Sequence, residues 1–304
     1  MDLAARRHRL IERIGIPVEQ GRLAAGGIGT HYLKAGRGPC LVLLHGAGGS
    51  SLNWSPVMAA LAAKCCVIAP DMVGYGESDK PAVVYDRPFF AAWLRHFLDA
   101  LGLEKPILLG HSQGGAVALQ FAIEHSERLQ RLILVCPAGL SVDGIPFGAK
   151  LGILWVNFLP SRLAAWWMSR YICANGRSEW DGEITGYLLE VKRLPRSKRV
   201  FLAGLGKSIA PFSTEALQGI AHPTLIVWGR QDRLLLPAHG ARACREIPAS
   251  RLCLIPGAGH LPFVDQPQPF CDAVLGFVND QPRRHTHEAF ELSGAEDRTS
   301  RWHA

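Results

Sequence analysis

Three residues, Ser112, Asp232 and His260, have the types and the chain order needed for nucleophilic catalysis. A serine hydroxyl is a poor nucleophile, so it needs a histidine to take its proton and a carboxylate to orient that histidine. Ser112 is the centre of the pentapeptide 110–114, Gly-His-Ser-Gln-Gly, between an apolar run and a helix-like stretch. A strand that turns through Gly-x-Ser-x-Gly into a helix holds such a serine out at the end of a sheet.

The candidate acid and the candidate base each follow a predicted strand. Asp232 comes just after the run 224–228, and His260 comes just after the run 252–255. The order nucleophile, acid, base is the one that accompanies the Gly-x-Ser-x-Gly turn. Because parallel strands end at the same edge of a sheet, we expect the three side chains to meet there. Asp143, at the end of the sixth predicted strand, is a second candidate for the acid.

An acyl carbon under attack also needs backbone N–H groups aimed at its developing oxyanion. One is the amide of Gln113, which follows the nucleophile and begins a helix. The second is expected from the His-Gly-Ala-Gly-Gly loop after the third strand, with Ala47 as the first choice and Gly48 as the alternative. Glycines let this loop approach a substrate closely. We interpret His45 and His111 as structural residues that hold the loop and the turn.

Short apolar runs alternate with longer amphipathic ones along most of the chain. Strands are predicted at 18–23, 30–34, 41–44, 67–70, 107–109, 132–136, 224–228 and 252–255. Helices are predicted at 54–62, 88–101, 114–124, 238–246 and 267–278. Several strand runs are apolar at every position, as strands covered by helices on both faces must be. The pattern predicts an α/β fold with a mostly parallel eight-stranded sheet, whose first two strands pair antiparallel.

The alternation stops between residues 139 and 210, where no strand-like run occurs. We predict a helical lid inserted there after the sixth strand, overhanging the edge where the candidate residues gather. The core is predicted at 1–138 and 211–280. The tail 281–304 is polar and mixed in charge, so we predict that it is disordered.

Large apolar side chains close to these motifs predict a hydrophobic substrate pocket. Trp54 follows the glycine-rich loop, Leu261 and Phe263 follow His260, and Trp167 belongs to the tryptophan-rich insertion. Each of these residues could equally be part of the core.

Positive charge is concentrated in one part of the chain. Residues 128–207 hold 12 Lys and Arg against 5 Asp and Glu, a surplus equal to the net charge of +7 of the whole chain. A nucleic-acid-binding protein would interleave such charges with aromatic residues or carry a known docking motif, and neither pattern is found, so we predict no nucleic-acid partner. A solvated basic face is the first interpretation. Attraction of anionic substrates or of a membrane surface is the alternative.

Composition and targeting signals indicate a globular cytoplasmic protein. The chain is 48% hydrophobic and 19% charged, and no stretch reaches the roughly 18 apolar residues of a spanning helix. Residues 1–14 predict a basic amphipathic helix, solvated rather than a membrane anchor, without the apolar stretch of a secretory signal. Eight scattered cysteines favour thiols in a reducing compartment. Neither metal-ligand spacing nor a dinucleotide fingerprint occurs, so no metal and no cofactor is predicted. The oligomeric state is not predicted.

These motifs resemble the α/β-hydrolase superfamily from about Leu41 to Val278, apart from the insertion. The stretch 71–79, Asp-Met-Val-Gly-Tyr-Gly-Glu-Ser-Asp, resembles the turn after strand four in that family, which is a structural marker. The resemblance implies that the insertion is the lid that family members place over the active site. We therefore expect a serine hydrolase that cleaves carboxylic esters of a hydrophobic small molecule.

Departures from particular groups of this superfamily narrow the chemistry. Haloalkane dehalogenases and epoxide hydrolases have aspartate at the nucleophile position, where this chain has Ser112. Hydrolases that cleave carbon–carbon bonds of ring-cleavage diketones often have Asn before the serine and Trp after the histidine; here these are His111 and Leu261. An arginine in that group pairs with a substrate carboxylate, which makes Arg193 a candidate. Thioesters and lactones use the same triad, and a ligand receptor on a hydrolase scaffold is the non-enzyme alternative.

Overall fold

The sheet that carries the candidate residues contains all eight predicted strands. The computed structural model describes residues 3–140, 144–175, 182–204, 206–280 and 289–291. Its strands are β1 (Glu19–Ala25), β2 (Ile28–Ala35), β3 (Cys40–Leu44), β4 (Cys66–Pro70), β5 (Ile107–His111), β6 (Arg131–Val135), β7 (Thr224–Gly229), β8 (Ser250–Ile255) and β9 (Ala289–Glu291). The short strand β9 has no counterpart in the prediction and lies in the predicted tail. The rest of 281–304 is outside the described residues.

The strands are arranged in the order β1-β2-β4-β3-β5-β6-β7-β8-β9. β2 is antiparallel to both β1 and β4, and every other neighbouring pair is parallel, which confirms the predicted antiparallel start. Every residue of β5 and of β7 is buried. Because successive side chains of a strand point to opposite faces, both faces of the sheet must be covered.

Helices supply this cover and join the strands. They are α1 (Leu3–Glu12), α2 (Ser55–Ala62), α3 (Arg87–Ala100), α4 (Gln113–Glu124), α5 (Phe147–Phe158), α6 (Arg162–Ile172), α7 (Gly182–Arg193), α8 (Ser197–Gly204), α9 (Thr214–Gln218), α10 (Pro237–Glu246), α11 (Pro262–Asp265) and α12 (Pro267–Asn279). Helices α5 to α8, here called the helical insertion, lie between β6 and β7, where the sequence predicts inserted helices. In the described ranges, no helix is long and apolar enough to cross a membrane.

Local sequence explains where these helices begin and which side they bury. In α3, Asp86 caps the first turn by accepting the amide of Phe89 at 3.0 Å, and a proline occupies the first turn. The helix then buries Phe90, Trp93 and Phe97, whose spacing of three and four residues defines one face.

Helix α1 differs from the prediction of a solvated helix. Leu10 and Ile11 are buried in the main core, and so is the charged residue Arg7. The apolar face of a basic amphipathic helix is therefore used to dock it on the rest of the chain.

Candidate active site

Ser112 occupies a strained turn between β5 and α4. Its φ of 51° and ψ of −116° fall in a region that residues with a side chain rarely adopt, at a cost of about 1–3 kcal/mol. The surroundings fix this conformation, because the Ser112 carbonyl accepts the amides of Gly115, Ala116 and Ala138 at 2.9–3.1 Å. The Ser112 amide donates to Val135 O at 3.0 Å, on the neighbouring strand. The turn therefore holds the serine between the end of β5 and the first turn of α4.

Two glycines of the pentapeptide are required by close backbone approach. A Cβ atom on Gly110 would overlap the carbonyl oxygen of Gly114, and one on Gly114 would overlap the carbonyl oxygen of Leu44. In both cases the obstacle is backbone, which cannot move aside as a flexible side chain can. The spacing of Gly-x-Ser-x-Gly thus follows from how tightly α4 packs behind the ends of β3 and β5.

Asp232 and His260 form a buried hydrogen-bonded pair. His260 Nδ1 lies 2.8 Å from Asp232 Oδ2, and each residue is 3% exposed. The other carboxylate oxygen, Oδ1, accepts the amides of Leu234 and Leu235, each at 2.9 Å. A carboxylate so held accepts a hydrogen bond from Nδ1–H, which leaves Nε2 as the basic nitrogen of the imidazole.

The loop that carries His260 is held against the serine turn. His111, next to Ser112, has its Nε2 atom 2.9 Å from the carbonyl oxygen of His260. Gly229, at the end of β7, permits the approach because a Cβ atom there would overlap the Gly259 carbonyl. Burial lowers the pKa of His111 well below its usual value, so this ring is neutral. His111 therefore joins the base to the nucleophile turn and is not a second base.

The glycine-rich loop after β3 lies beside the serine. A Cβ atom on Gly46 would lie 3.2 Å from Ser112 Cβ, and Gly49 N–H donates back to Gly46 O at 3.1 Å, with Ala47 and Gly48 between them. His45 fixes the loop, since its Nδ1 contacts Gly46 O at 2.8 Å and its Nε2 accepts the Met72 amide at 3.0 Å. Both nitrogens of His45 are thus engaged in holding the backbone.

Gln113 faces this loop from the start of α4. As the first residue of the helix, it has an amide with no carbonyl partner in the preceding turn, and the positive end of the helix dipole lies there. Its side chain donates from Nε2 to Ser208 Oγ at 2.7 Å, just beyond the helical insertion. Of the predicted amide donors, Gln113 thus follows Ser112 directly, and Ala47 and Gly48 follow Gly46, the residue that approaches Ser112 Cβ.

Lys192, in the last turn of α7, reaches this loop and has no place among the predicted site residues. A Cβ atom on Gly48 would overlap the Lys192 Nζ atom. Nζ also donates to Asn157 Oδ1 at 3.2 Å. Burial lowers the pKa of Lys192 from 10.5 to about 8. The helical period could have indicated this position, because Leu188 is buried and lies one turn before Lys192 on the same side of α7.

Arg193 lies on a different side of α7 from Lys192. Its exposed side chain donates from Nη2 to the carbonyl of Pro160 at 2.7 Å. It lines a groove of about 410 Å³ within the helical insertion, together with Trp155, Phe158 and Lys198. A step of 100° per residue separates the two cations, so Lys192, and not Arg193, is the one that meets the glycine-rich loop.

The predicted apolar contacts occupy several environments. Trp54 and Phe263 are fully buried, with ring centroids 4.5 Å apart, and both contact the ring of His111. They form the support behind the serine turn. Leu261 is 4% exposed and belongs to the same core. Trp167 donates from Nε1 to Gly148 O at 3.1 Å, which joins α6 to α5.

Two other groups bear on the acid and on metal binding. Asp143, the second candidate acid, lies outside the described residues. Cys136 offers a sulfur atom to a cluster with Asp232 and His260, whose ligand atoms all lie within 4.8 Å of one another. Burial, together with the Asp232 charge, raises the pKa of the Cys136 thiol well above its usual value, so the sulfur is protonated beside the Asp232–His260 hydrogen bond.

Comparison with known proteins gives a family match and several similar proteins. The model of the alpha/beta hydrolase family matches residues 41–273. An uncharacterized protein of Mycobacterium tuberculosis is 33% identical over 81% of this chain and 76% of its own length. The 2-hydroxymuconate semialdehyde hydrolase of a Pseudomonas species is 31% identical, over 86% of this chain and 94% of its own. The structure of a meta-cleavage product hydrolase from Pseudomonas fluorescens superposes with a TM-score of 0.77 at 26% identity, covering 87% and 98% of the two chains.

Proposed function

Because the chain belongs to the alpha/beta hydrolase family, we propose that it is a serine hydrolase that cleaves carboxylic esters through an acyl-enzyme on Ser112. The observation that carries this proposal is the strained Ser112 turn beside the buried Asp232–His260 pair. A residue held at positive φ with its backbone fully bonded is a feature typical of functional sites. The order of the three residues along the chain agrees with the same chemistry.

The reaction has two steps in this proposal. Ser112 Oγ attacks the acyl carbon while His260 Nε2 takes its proton, and the same proton then leaves with the alcohol. Amides of Gln113 and Ala47, or of Gly48 in place of Ala47, donate to the tetrahedral oxyanion. Water then attacks the acyl carbon and gives a proton to His260. The bond from that carbon to Ser112 Oγ breaks, Ser112 takes the proton back from His260, and the acid is released. Asp232 keeps the imidazole in the productive tautomer and stabilises its positive charge.

The helical insertion acts in this proposal as a lid over the site. Two contacts join it, and the segment just after α8, to the catalytic loops. Gln113 bonds to Ser208, and the Ala174 amide donates to Asp265 Oδ2 at 3.1 Å. The same carboxylate oxygen accepts the Gly259 amide at 2.7 Å, one residue before His260. A lid attached at these points would exclude water from the acyl-enzyme and select the substrate.

Lys192 supports a substrate that carries an anionic group. A partly buried ammonium whose best partner is a neutral amide oxygen has unused capacity for a carboxylate or phosphate. Its place beside Gly48 would put that anionic group close to the acyl carbon. The substrate class favoured by the site is therefore an ester of an acidic molecule with a hydrophobic part.

Carbon–carbon bond hydrolysis is the second candidate. It is favoured by the relatives named for 2-hydroxymuconate semialdehyde and for meta-cleavage products, and by the Lys192 cation, because a muconate is acidic. His111 and Leu261 stand where that group often has asparagine and tryptophan, which is why the ester comes first. The buried His111–His260 contact gives this chain a different support for its base.

A substrate panel separates these candidates. Steady-state kcat/KM would be measured for matched esters, thioesters, lactones and a ring-cleavage dienoate, each in anionic and neutral forms where the chemistry allows. The proposal expects the anionic ester to have the highest kcat/KM, and Ser112→Ala to abolish its turnover. Ser126→Ala, in the exposed turn just after α4, is the matched control. A dienoate turned over faster than every ester would establish the second candidate, and no turnover of any substrate would contradict both.

A further inference from the structure

Helix α1 places a charged residue in the interior of the molecule. Arg7 is only 3% exposed, although an arginine on a terminal helix would ordinarily extend into solvent. The neighbouring Leu10 and Ile11 belong to the main core, so the helix is docked along its length. Burial of a cation at the start of a chain is costly unless several partners compensate it.

Arg7 joins three separate segments of the fold. Its Nη1 atom lies 3.2 Å from Asp71 Oδ2, in the turn after β4, and 2.9 Å from the hydroxyl of Tyr187 on α7. Its Nη2 atom lies 3.3 Å from Ser51 Oγ, directly after the glycine-rich loop. A planar guanidinium with five N–H donors can serve such divergent partners, whereas an ammonium cannot.

Asp71 extends this connection to the backbone of the candidate site. Its Oδ1 accepts the Ser51 amide at 2.6 Å, and its Oδ2 accepts the Glu77 amide at 2.9 Å. Burial alone would raise the pKa of Asp71, but the charge of Arg7 and these two amides together lower it. The carboxylate is therefore ionised, and the ion pair fixes the segment into which the glycine-rich loop continues.

Helix α7 is held by α1 at two points one turn apart. Tyr187 accepts the bond from Arg7, and Glu190 Oε1 pairs with Arg6 Nη1 at 2.8 Å. Two residues after Glu190 comes Lys192, whose Nζ atom occupies the space beside Gly48. The position of the cation therefore depends on how α7 is fixed. Its buried residues in the main core, the bond from the Tyr187 hydroxyl to Glu77 Oε1 at 3.4 Å and these two contacts with α1 fix it together.

We infer that Arg7 is a positioning residue for the candidate site: through Asp71 and Ser51 it holds the glycine-rich loop, and through Tyr187 it sets α7 so that Lys192 lies beside Gly48. The inference rests on the proposed function for its catalytic consequence. Its structural content, the placement of Lys192, can be measured without any substrate. A role in stability alone would predict no link between Arg7 and the environment of Lys192.

Two variants break the connection without removing the charge beside Asp71. Arg7→Lys keeps a cation there but cannot reach three partners together. Tyr187→Phe removes only the hydroxyl, which accepts from Arg7 at 2.9 Å and donates to Glu77 Oε1 at 3.4 Å. Tyr85→Phe is the matched control. It deletes another buried phenol hydroxyl, which lies away from the glycine-rich loop and donates to Pro81 O in a hydrogen bond of 2.9 Å. Melting temperatures of all variants establish that they are folded.

The environment of Lys192 can be measured from the pH dependence of its acetylation rate. Acetic anhydride is the probe, and peptide mass spectrometry quantifies the acetylated Lys192. The groups that face its ammonium are Asn157 of α5 and, in the glycine-rich loop, Gly48 and the neutral His45. In the wild type, we expect the midpoint of the acetylation rate against pH to lie near the Lys192 pKa of about 8. In Arg7→Lys and Tyr187→Phe we expect this midpoint at least one pH unit higher, toward 10.5, because a displaced ammonium is less buried. Tyr85→Phe should keep the wild-type midpoint. An unchanged midpoint in both test variants overturns the inference.

Hydrolysis of an anionic ester and its neutral counterpart gives the functional readout. In both test variants, kcat/KM for the anionic ester should fall about ten-fold, which corresponds to the loss of one hydrogen bond to a charged group. The fall in kcat/KM for the neutral ester should be smaller. Equal losses for both esters, or the same losses in Tyr85→Phe, contradict a positioning role. If the acetylation midpoint moves while wild-type protein hydrolyses no ester, the proposed function fails and the placement of Lys192 by Arg7 stands.

Discussion

Replacing Lys192 by methionine should stabilise the protein and weaken its use of anionic substrates. Methionine has nearly the same length and flexibility without the charge. The pKa of Lys192 falls from 10.5 to about 8, and at ~1.36 kcal/mol per unit this sets an upper limit of about 3 kcal/mol on the cost of burying the ammonium at pH 7. The side chain keeps part of its surface in solvent, so screening reduces the expected gain of Lys192→Met to about 1–2 kcal/mol.

The pH dependence of this gain has a defined direction. At pH 7 the lysine is protonated in both the folded and the unfolded chain, so the cost is fully present. Between pH of about 8 and 10.5 the unfolded chain keeps a proton that the folded chain has lost, and wild-type stability rises toward that of the variant. Above 10.5 both forms are neutral and the difference disappears.

Thermal unfolding followed by circular dichroism at pH 7 and about pH 9.5 measures this effect. We expect Lys192→Met to melt about 2–3 °C above wild type at pH 7, with a smaller difference at the higher pH. Lys198→Met removes an exposed lysine of α8 and should leave the melting temperature unchanged. In parallel, kcat/KM for an anionic ester should fall by at least about ten-fold, and by less for a neutral ester. A variant no more stable than wild type at pH 7 would refute the reasoning about desolvation.

Other predictions concern the base and the serine turn. Asp232→Asn should lower kcat by about 10⁴-fold. The melting temperature should change little, because the amide oxygen of asparagine can still accept hydrogen bonds from the Leu234 and Leu235 amides. A loss of kcat under ten-fold would contradict the assigned role. Gly114→Ala should cost about 3 kcal/mol or more, because its Cβ meets backbone, whereas Gly276→Ala, on open helix surface, should gain up to ~1 kcal/mol. Urea unfolding compares the two, and equal stabilities would contradict the steric argument.

The sequence predicts most of the fold because its signals are local. Strands such as β5 are short apolar runs bounded by turn residues, and the Gly-x-Ser-x-Gly spacing is dictated by the overlap of Gly110 and Gly114 with nearby backbone. The Asp232–His260 contact was predictable from chain order and strand ends, since parallel strands bring their carboxyl ends together.

Contacts between distant segments could not be predicted in this way. The helical period of the first fourteen residues places Arg7 on the same face as Leu10 and Ile11. Nothing there indicates that an arginine on this face is buried, because its burial depends on Asp71 and Tyr187 being brought there. The choice between Lys192 and Arg193 depends on the rotation of α7, which packing on the core sets. Both cations look alike in a basic cluster, and the helical period separates them only once Leu188 is known to be buried.

Labelling with a fluorophosphonate, followed by mass spectrometry of the modified peptide, tests the central claim most directly. The reagent forms a stable adduct only with a serine that a neighbouring base activates. The account predicts one adduct per chain, on Ser112, absent in Ser112→Ala, slowed strongly in Asp232→Asn and unaffected in Ser126→Ala. An unlabelled wild-type chain, or labelling that persists in Ser112→Ala, would contradict it.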